Sequence, residues 1–200
     1  MIVIGLCGGS GSGKGAACAC FAQHGIPAID TDAVYRELTS SDSECLRELR
    51  SEFGESVISG GSLDRRALAD IVFSGEGSHT RLARLNSIAH NHILARTREL
   101  LAEYSQKGAK AAIVDAPVLF ESGFDSECDL VIAVVADREE RIKRIMARDN
   151  ISSSEAVRRI EAQKSDEWLS EHSDFVIVNN GDIDALSREV SSVLKKIINN

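Results

Sequence analysis

No apolar run in this 200-residue chain approaches the ~18 residues that cross a bilayer, and neither a basic leader nor a small-residue cleavage site accompanies the opening Met1, Ile2, Val3 and Ile4. The expectation is a soluble, unprocessed protein of the cytoplasm. Paired cysteine is also missing. Cys7, Cys18, Cys20, Cys45 and Cys128 are odd in number and scattered, with no Cys-x-x-Cys to hold zinc or form a dithiol couple. Cys18 and Cys20 fall about 200° apart on a helix, so they read as small hydrophobes in a reducing compartment rather than as shared ligands. The histidines show no H-x-x-x-H spacing, only the pair His90 and His92, which argues against a metal role for them. Positive charge is short: 23 Lys and Arg against 31 Asp and Glu leave a net charge of −8, which argues against binding nucleic acid through its phosphates. There is no Asn-Lys-x-Asp stretch, so a guanine-reading switch is excluded as well.

What remains is a chain with 43% hydrophobic residues, enough to build one compact core. Short β-branched runs recur between helical patterns: Ile2 to Cys7, Ile26 to Asp30, Lys110 to Asp115, Asp129 to Ala136 and Asp174 to Val178. Near-continuous apolar runs such as Leu130 to Val135 suit strands buried on both faces. The pattern predicts an α/β fold with a five-stranded, doubly wound parallel sheet and helices on both faces. About eighty residues separate the second run from the third, where a crossover needs only about a dozen. Helical spacings at 42–54, 63–73 and 79–106 fill that gap, and Ile58 to Ser62, with Gly60 and Gly61, reads as a turn. A substrate-holding insert belongs there.

The strongest motif is Gly8, Gly9, Ser10, Gly11, Ser12, Gly13, Lys14, which matches G-x-x-x-x-G-K between a predicted strand and a predicted helix. Glycines let successive N–H groups converge on a phosphate, the helix adds its positive end, and Lys14 bridges the β- and γ-phosphates of ATP. Gly9, Gly11, Ser12, Gly13, Lys14, Gly15 and Ala16 are the ATP-binding candidates. Gly15 stands where the motif usually carries a Ser or Thr hydroxyl for Mg²⁺, so the metal must be held by carboxylates, directly or through water.

Asp30 and Asp32 follow the second predicted strand, at the sheet edge where the first delivers the phosphate loop. Asp32 reads as the base for an alcohol acceptor and Asp30 as metal support; the alternative is that Asp32 caps a helix beginning at Ala33. Asp115 ends the third strand, either near the metal or as a loop cap. Arg138, Arg141, Arg144 and Arg148 share an arc of about 120° on one helix. They form either a salt-bridged surface or a set closing over the transferring group, with Arg141 and Arg144 the leading contacts and Arg148 beside the nucleotide. Asn179, Asn180 and Gly181, after the last strand, read as a turn or as an adenine-facing loop.

These segments, in order, resemble the dephospho-CoA kinase family along essentially the whole chain. The resemblance is carried by Gly5 through Lys14, Asp30 and Asp32, Leu63-Asp64-Arg65, Leu68 and Phe73, Leu85, Asn86 and His90. It continues through Asp115, Pro117, Leu119, Phe120 and Glu121, then Arg144 to Asp149, Gln163 and Asn179-Asn180-Gly181. It implies a P-loop NTPase fold in three parts: a core at 1–40, 108–140 and 172–200, a helical substrate-binding insert at about 41–107, and a lid at about 141–170. It implies ATP with Mg²⁺ as phosphoryl donor and the 3′-hydroxyl of dephospho-coenzyme A as acceptor, with neither nucleic acid nor membrane as partner and oligomeric state left open. Lys14, Asp32, Arg141 and Arg144 become the catalytic candidates. Asp30 and Asp115 become the metal candidates, and Asp32, Arg65, His90 and Asp115 the acceptor-side ones. Arg65 reads equally as a surface ion pair and His90 as a helix-packing imidazole. Asn91 stands where the family usually has proline after the histidine, a change expected to affect only how a helix begins. The rivals are another small-molecule P-loop kinase, acting on a nucleoside or nucleotide, and a non-catalytic ATP-binding regulator.

Overall fold

A computed structural model describes residues 1–198. The chain folds as two compact units, one made of Met1–Ile29 and the chain from Glu103 onward, the other of Asp30–Ala102. The first holds most of a five-stranded parallel sheet whose order is β2-β5-β1-β6-β7, with β1 (Ile2–Cys7) central and β2 (Ala28–Asp30), β5 (Ala111–Asp115), β6 (Leu130–Val135) and β7 (Phe175–Val178) around it. β1 pairs with β5 through Ile4↔Ile113 and Leu6↔Asp115, and with β6 through Gly5↔Val131 and Cys7↔Ala133. In β5 and β6 consecutive residues are buried, as strands covered on both faces require. The strands begin and end within two residues of the apolar runs in the sequence.

One face of this sheet buries Ile4, Leu6, Ile113, Ile132, Val134 and Ile177 beneath α1 (Lys14–Gln23) and α9 (Ile183–Ile198). Phe21 from α1 and Leu186, Val190 and Leu194 from α9 complete that core, so the helix that leaves the phosphate loop is anchored along its length. Beyond β6 lie α6 (Arg138–Asp149), α7 (Ser153–Glu161) and α8 (Asp166–Glu171). Each of the last two has a serine at its N-cap: Ser152, in a capping box with Glu155, and Ser165, which accepts from the Trp168 N–H.

The second unit contains α2 (Thr31–Ser40), α3 (Glu44–Phe53), the hairpin β3 (Ile58–Ser59) and β4 (Ser62–Leu63), α4 (Arg65–Phe73) and most of α5 (Ser78–Gln106). Cys45, Leu49 and Ile88 form one small core with Tyr35 and Leu38 packed against it, and Val57, Leu68 and Val72 form another. Because Tyr35 and Leu38 belong to α2, this unit opens at Asp30 and closes at Ala102, whereas the insert expected from sequence spans about 41–107. Gly60 and Gly61, at φ 58° and 81°, supply the two positive φ angles that a tight hairpin turn needs.

Asn91 corrects one expectation. It does not begin a helix but lies inside α5, which runs unbroken from Ser78 to Gln106. Unlike proline, Asn keeps the N–H that continues an interior helical ladder.

Candidate functional site

The first unit builds a phosphate-binding loop from the backbone upward. β1 ends at Cys7, the chain curls through Gly8 to Gly13, and α1 starts at Lys14 with Gly13 as its N-cap at φ 91°. Internal bonds from the Ser12 N–H to the Gly9 carbonyl (3.1 Å) and from the Ala17 N–H to the Gly13 carbonyl (3.0 Å) close the curl. No side chain caps α1, so its first N–H groups and the positive end of its dipole are offered to an anion. Gly15 is exposed in the first turn of α1, and Ala16 packs against the core.

Lys14 forms an ion pair with Asp115 through Nζ and Oδ1, with both side chains largely buried. The Leu6↔Asp115 register between β1 and β5 sets this meeting, because it brings the carboxyl end of β5 beside the start of the loop. Cys18, one turn into α1, donates its Sγ to Asp115 Oδ2 at 3.5 Å. A cation and a carboxylate are therefore held together where a triphosphate would enter.

Two arginines from α6 grip the loop's carbonyls. Arg141 is buried, donates Nε to the Ser10 carbonyl at 2.9 Å and pairs through Nη1 with Asp166 at 2.7 Å. Its Nη2 is buried without a hydrogen-bond partner among the described residues and occupies the space where a Cβ at Gly9 would lie. Only glycine admits that approach. Arg144 reaches the Gly11 and Ser12 carbonyls with Nη1, at 3.3 and 3.4 Å, and the Asn179 carbonyl with Nη2 at 2.9 Å. Buried Asn179 donates Nδ2 to the Ser12 carbonyl at 2.8 Å, while Asn180 Oδ1 accepts from the Asp137 N–H at 2.8 Å. Gly181 follows in the same turn, before α9.

The arginine stripe thus divides. Arg141 and Arg144 turn to the phosphate loop. Arg138 pairs with Glu161 at 2.9 Å, both exposed, and exposed Arg148 with half-buried Asp149 at 2.8 Å. Asp149 also binds Arg159, and the Arg148 hydrogen bond holds its carboxyl below the usual aspartate range. A salt-bridged surface describes half of the stripe and loop contact the other half.

In the second unit, Asp30 rather than Asp32 is the helix cap: its Oδ1 accepts from the N–H groups of Asp32 (2.9 Å) and Ala33 (3.1 Å). The reason is local, since β2 passes straight into α2 and leaves Asp30 as the last extended residue. Its Oδ2 lies 3.4 Å from Arg36. Asp32 is exposed in the first turn of α2. Arg65 opens α4 after the Asp64 cap and places its guanidinium 5.9 Å from the centre of the Tyr35 ring, a cation–π contact in place of a surface ion pair. His90 is half-buried on α5, and its neighbour His92 meets Glu48 at 2.8 Å.

The family described as dephospho-CoA kinase matches residues 2–185. A dephospho-CoA kinase of Corynebacterium glutamicum is 37% identical over 198 residues, covering 98% of this chain and 100% of the relative. The chain belongs to the dephospho-CoA kinase family. The crystal structure of TT1252 from Thermus thermophilus is 34% identical, with a TM-score of 0.79 over 98% of this chain and 97% of that one. A dephospho-CoA kinase from Campylobacter jejuni, 24% identical, shares the fold, with a TM-score of 0.71 over 98% of this chain and 96% of its own. As a member of this family the protein is an ATP-dependent kinase of the P-loop type. No helix among the described residues is long and apolar enough to cross a membrane.

Three contacts of the loop have no local sequence signal. Asp166, Asn179 and Gln163 reach Arg141, Ser12 and Ser10 across sequence separations of 25, 167 and 153 residues. Asn179 stands out through its place after the last strand and through the family resemblance, Gln163 only through that resemblance, and Asp166 through nothing in the sequence.

Proposed function

We propose that the protein transfers the γ-phosphoryl group of ATP to the 3′-hydroxyl of dephospho-coenzyme A, giving coenzyme A and ADP, the last step in making that cofactor. The observation that carries this reading is the loop itself: an uncapped helix N-terminus, a lysine paired with a carboxylate, and two arginines on the loop's carbonyls, in a chain of this family. In the reaction the acceptor oxygen bonds to the γ-phosphorus and passes its proton to Asp32. The bond from that phosphorus to its bridging oxygen breaks, and the electron pair leaves on ADP. Lys14, Arg141 and Arg144 balance the charge on the transferring group, Arg141 with a buried nitrogen that no protein acceptor satisfies.

The donor set fits Mg²⁺, which takes one or two carboxylates, phosphate oxygens and water rather than a full protein cage. Asp115, with Asp30 in support, would hold it. Bound there, Mg²⁺ would neutralise the β- and γ-phosphate oxygens, and no hydroxyl at residue 15 is required. The second unit, with Arg65 and His90, is the acceptor-holding insert in this reading, the segment 141–170 the lid, and the loop at Asn180 and Gly181 the adenine side. A cytoplasmic setting accords with five cysteines that are all free thiols.

The test is phosphoryl transfer from ATP·Mg²⁺ by purified protein, comparing dephospho-coenzyme A with nucleosides, nucleoside monophosphates and pantetheine. Transfer confined to dephospho-coenzyme A is the expected result. Preferred transfer to a nucleoside or nucleotide, or ATP binding without transfer to any acceptor, would overturn the reading.

A further inference from the structure

The backbone of Ser10 in the phosphate loop is held on both sides by the α6–α8 segment, through its N–H in the Gly9–Ser10 peptide and its carbonyl in the Ser10–Gly11 peptide. The Ser10 carbonyl accepts from Arg141 Nε at 2.9 Å, and the Ser10 N–H donates to Gln163 Oε1 at 2.8 Å. Arg141 is fixed in turn by Asp166, 2.7 Å away in the first turn of α8. Gln163 stands on a short link whose backbone is pinned: the Ala162 N–H bonds to the Arg158 carbonyl and the Gln163 N–H to the Ile160 carbonyl, both at 3.1 Å, before Ser165 caps α8. Gln163 Oε1 and Arg141 Nη2 share the space left open by the missing side chain of Gly9, the oxygen 3.2 Å from where a Cβ would stand.

We propose that Gln163 is a positioning residue, whose uncharged amide oxygen sets the orientation of the Gly9–Ser10 peptide, next to the peptide that Arg141 holds, and so aligns the phosphate loop with the segment carrying Arg141. The proposal deepens the kinase reading and rests on it. The acceptor has to be neutral. A carboxylate oxygen would accept the same N–H, but it would place a negative charge beside the loop that binds a polyanion, and such a charge repels over several ångströms. An amide holds the peptide without that repulsion. Gln163 is exposed, so water can replace this bond at little cost to folding, and the effect is on alignment rather than on stability.

Two variants separate these roles because they fail in opposite ways. Gln163→Met keeps length and neutrality but loses the acceptor. Its kcat should fall about 10- to 100-fold while KM for ATP stays within about 3-fold, since Lys14 and the remaining loop contacts persist. Gln163→Glu keeps an acceptor oxygen but adds charge. Its KM for ATP should rise about 10-fold or more, an increase that shrinks with added salt, while kcat at saturating ATP stays within about 3-fold. Both variants should melt with the parent. A Gln163→Met enzyme with parental kcat overturns the proposal, as do two variants with the same kinetic defect or losses that follow a lowered Tm, because a merely structural contact gives those patterns. Amide hydrogen exchange without substrate reads the bond directly: Ser10 should be protected in the parent and in Gln163→Glu and unprotected in Gln163→Met. An unprotected Ser10 amide in the parent overturns the proposal whatever the acceptor proves to be, whereas a parent that ignores dephospho-coenzyme A overturns only the substrate reading.

Discussion

The phosphate loop and the helical second unit differ in how they hold most of their candidate residues. In the first unit the candidate side chains are tied to backbone: Arg141 and Arg144 to loop carbonyls, Asn179 to the Ser12 carbonyl, Asn180 to the Asp137 N–H. In the second, Asp30 is tied to backbone as the cap of α2, but Asp32 and Arg65 lie exposed at helix starts. The difference teaches that the surroundings of the phosphate loop are organised without a ligand, which lowers the reorganisation required when charge develops there, while Asp32 and Arg65 stay solvated.

The strongest way to break this comparison is to remove the cation at its centre. Lys14→Met deletes the cation of the phosphate loop and takes its lysine partner from the largely buried Asp115 carboxylate. The expected loss in kcat/KM is about 10³-fold or more, measured by initial rates of transfer. Next, Arg144→Met releases three carbonyls and should cost about 100-fold, whereas Arg148→Met, at an exposed residue whose partner is the adjacent Asp149, should cost no more than about 5-fold. Equal losses in the two variants would mean that the whole stripe, rather than its inner half, serves the nucleotide.

Much of the first unit is legible in sequence because its signals are local. The run Leu130 to Val135 reads as a strand buried on both faces, and Gly8 to Lys14 reads as a phosphate loop from spacing alone. The clasp around that loop is not legible, since Arg141 meets Ser10 across 131 residues and no periodicity encodes such a pairing. Asp30 and Asp32 illustrate a finer limit: both residue types favour helix N-caps, and the choice depends on β2 ending at Asp30 without an intervening turn. At Asn91 the residue itself is informative only once α5 is seen to continue through it.

Smaller effects sharpen the comparison. A Cβ at Gly15 would meet nothing within 4 Å, so the missing hydroxyl is not imposed by crowding. Gly15→Ser should fold, gain about 0.5 kcal/mol in denaturant unfolding, and lower the Mg²⁺ needed for half-maximal activity about 2- to 5-fold. Unchanged Mg²⁺ dependence would show that carboxylates already saturate the metal.

The thiols report on the two units separately. Burial pushes the Cys45 thiol up from the ordinary 9.0 to about 11, and the Cys128 thiol up to about 12. Both folded values lie above the unfolded one, so the associated stability is complete below about pH 9 and is lost as pH rises through 11 and then 12. Both units therefore lose this contribution from about pH 9, the unit containing Cys45 until about pH 11 and the one containing Cys128 until about pH 12, and the Cys45 thiolate forms at the lower pH. Timed alkylation across this range, read by mass spectrometry, should label Cys45 first; the reverse order would refute the assignment.

The central claim, a nucleotide site already built and an acceptor activated by Asp32, is tested most directly by Asp32→Asn, with ATP affinity by calorimetry and transfer to dephospho-coenzyme A followed on the same preparation. The account predicts ATP affinity within about 2-fold of the parent and a transfer rate lower by about 10²- to 10⁴-fold, the range for loss of a general base. Parental transfer, or ATP affinity lost together with transfer, would contradict it.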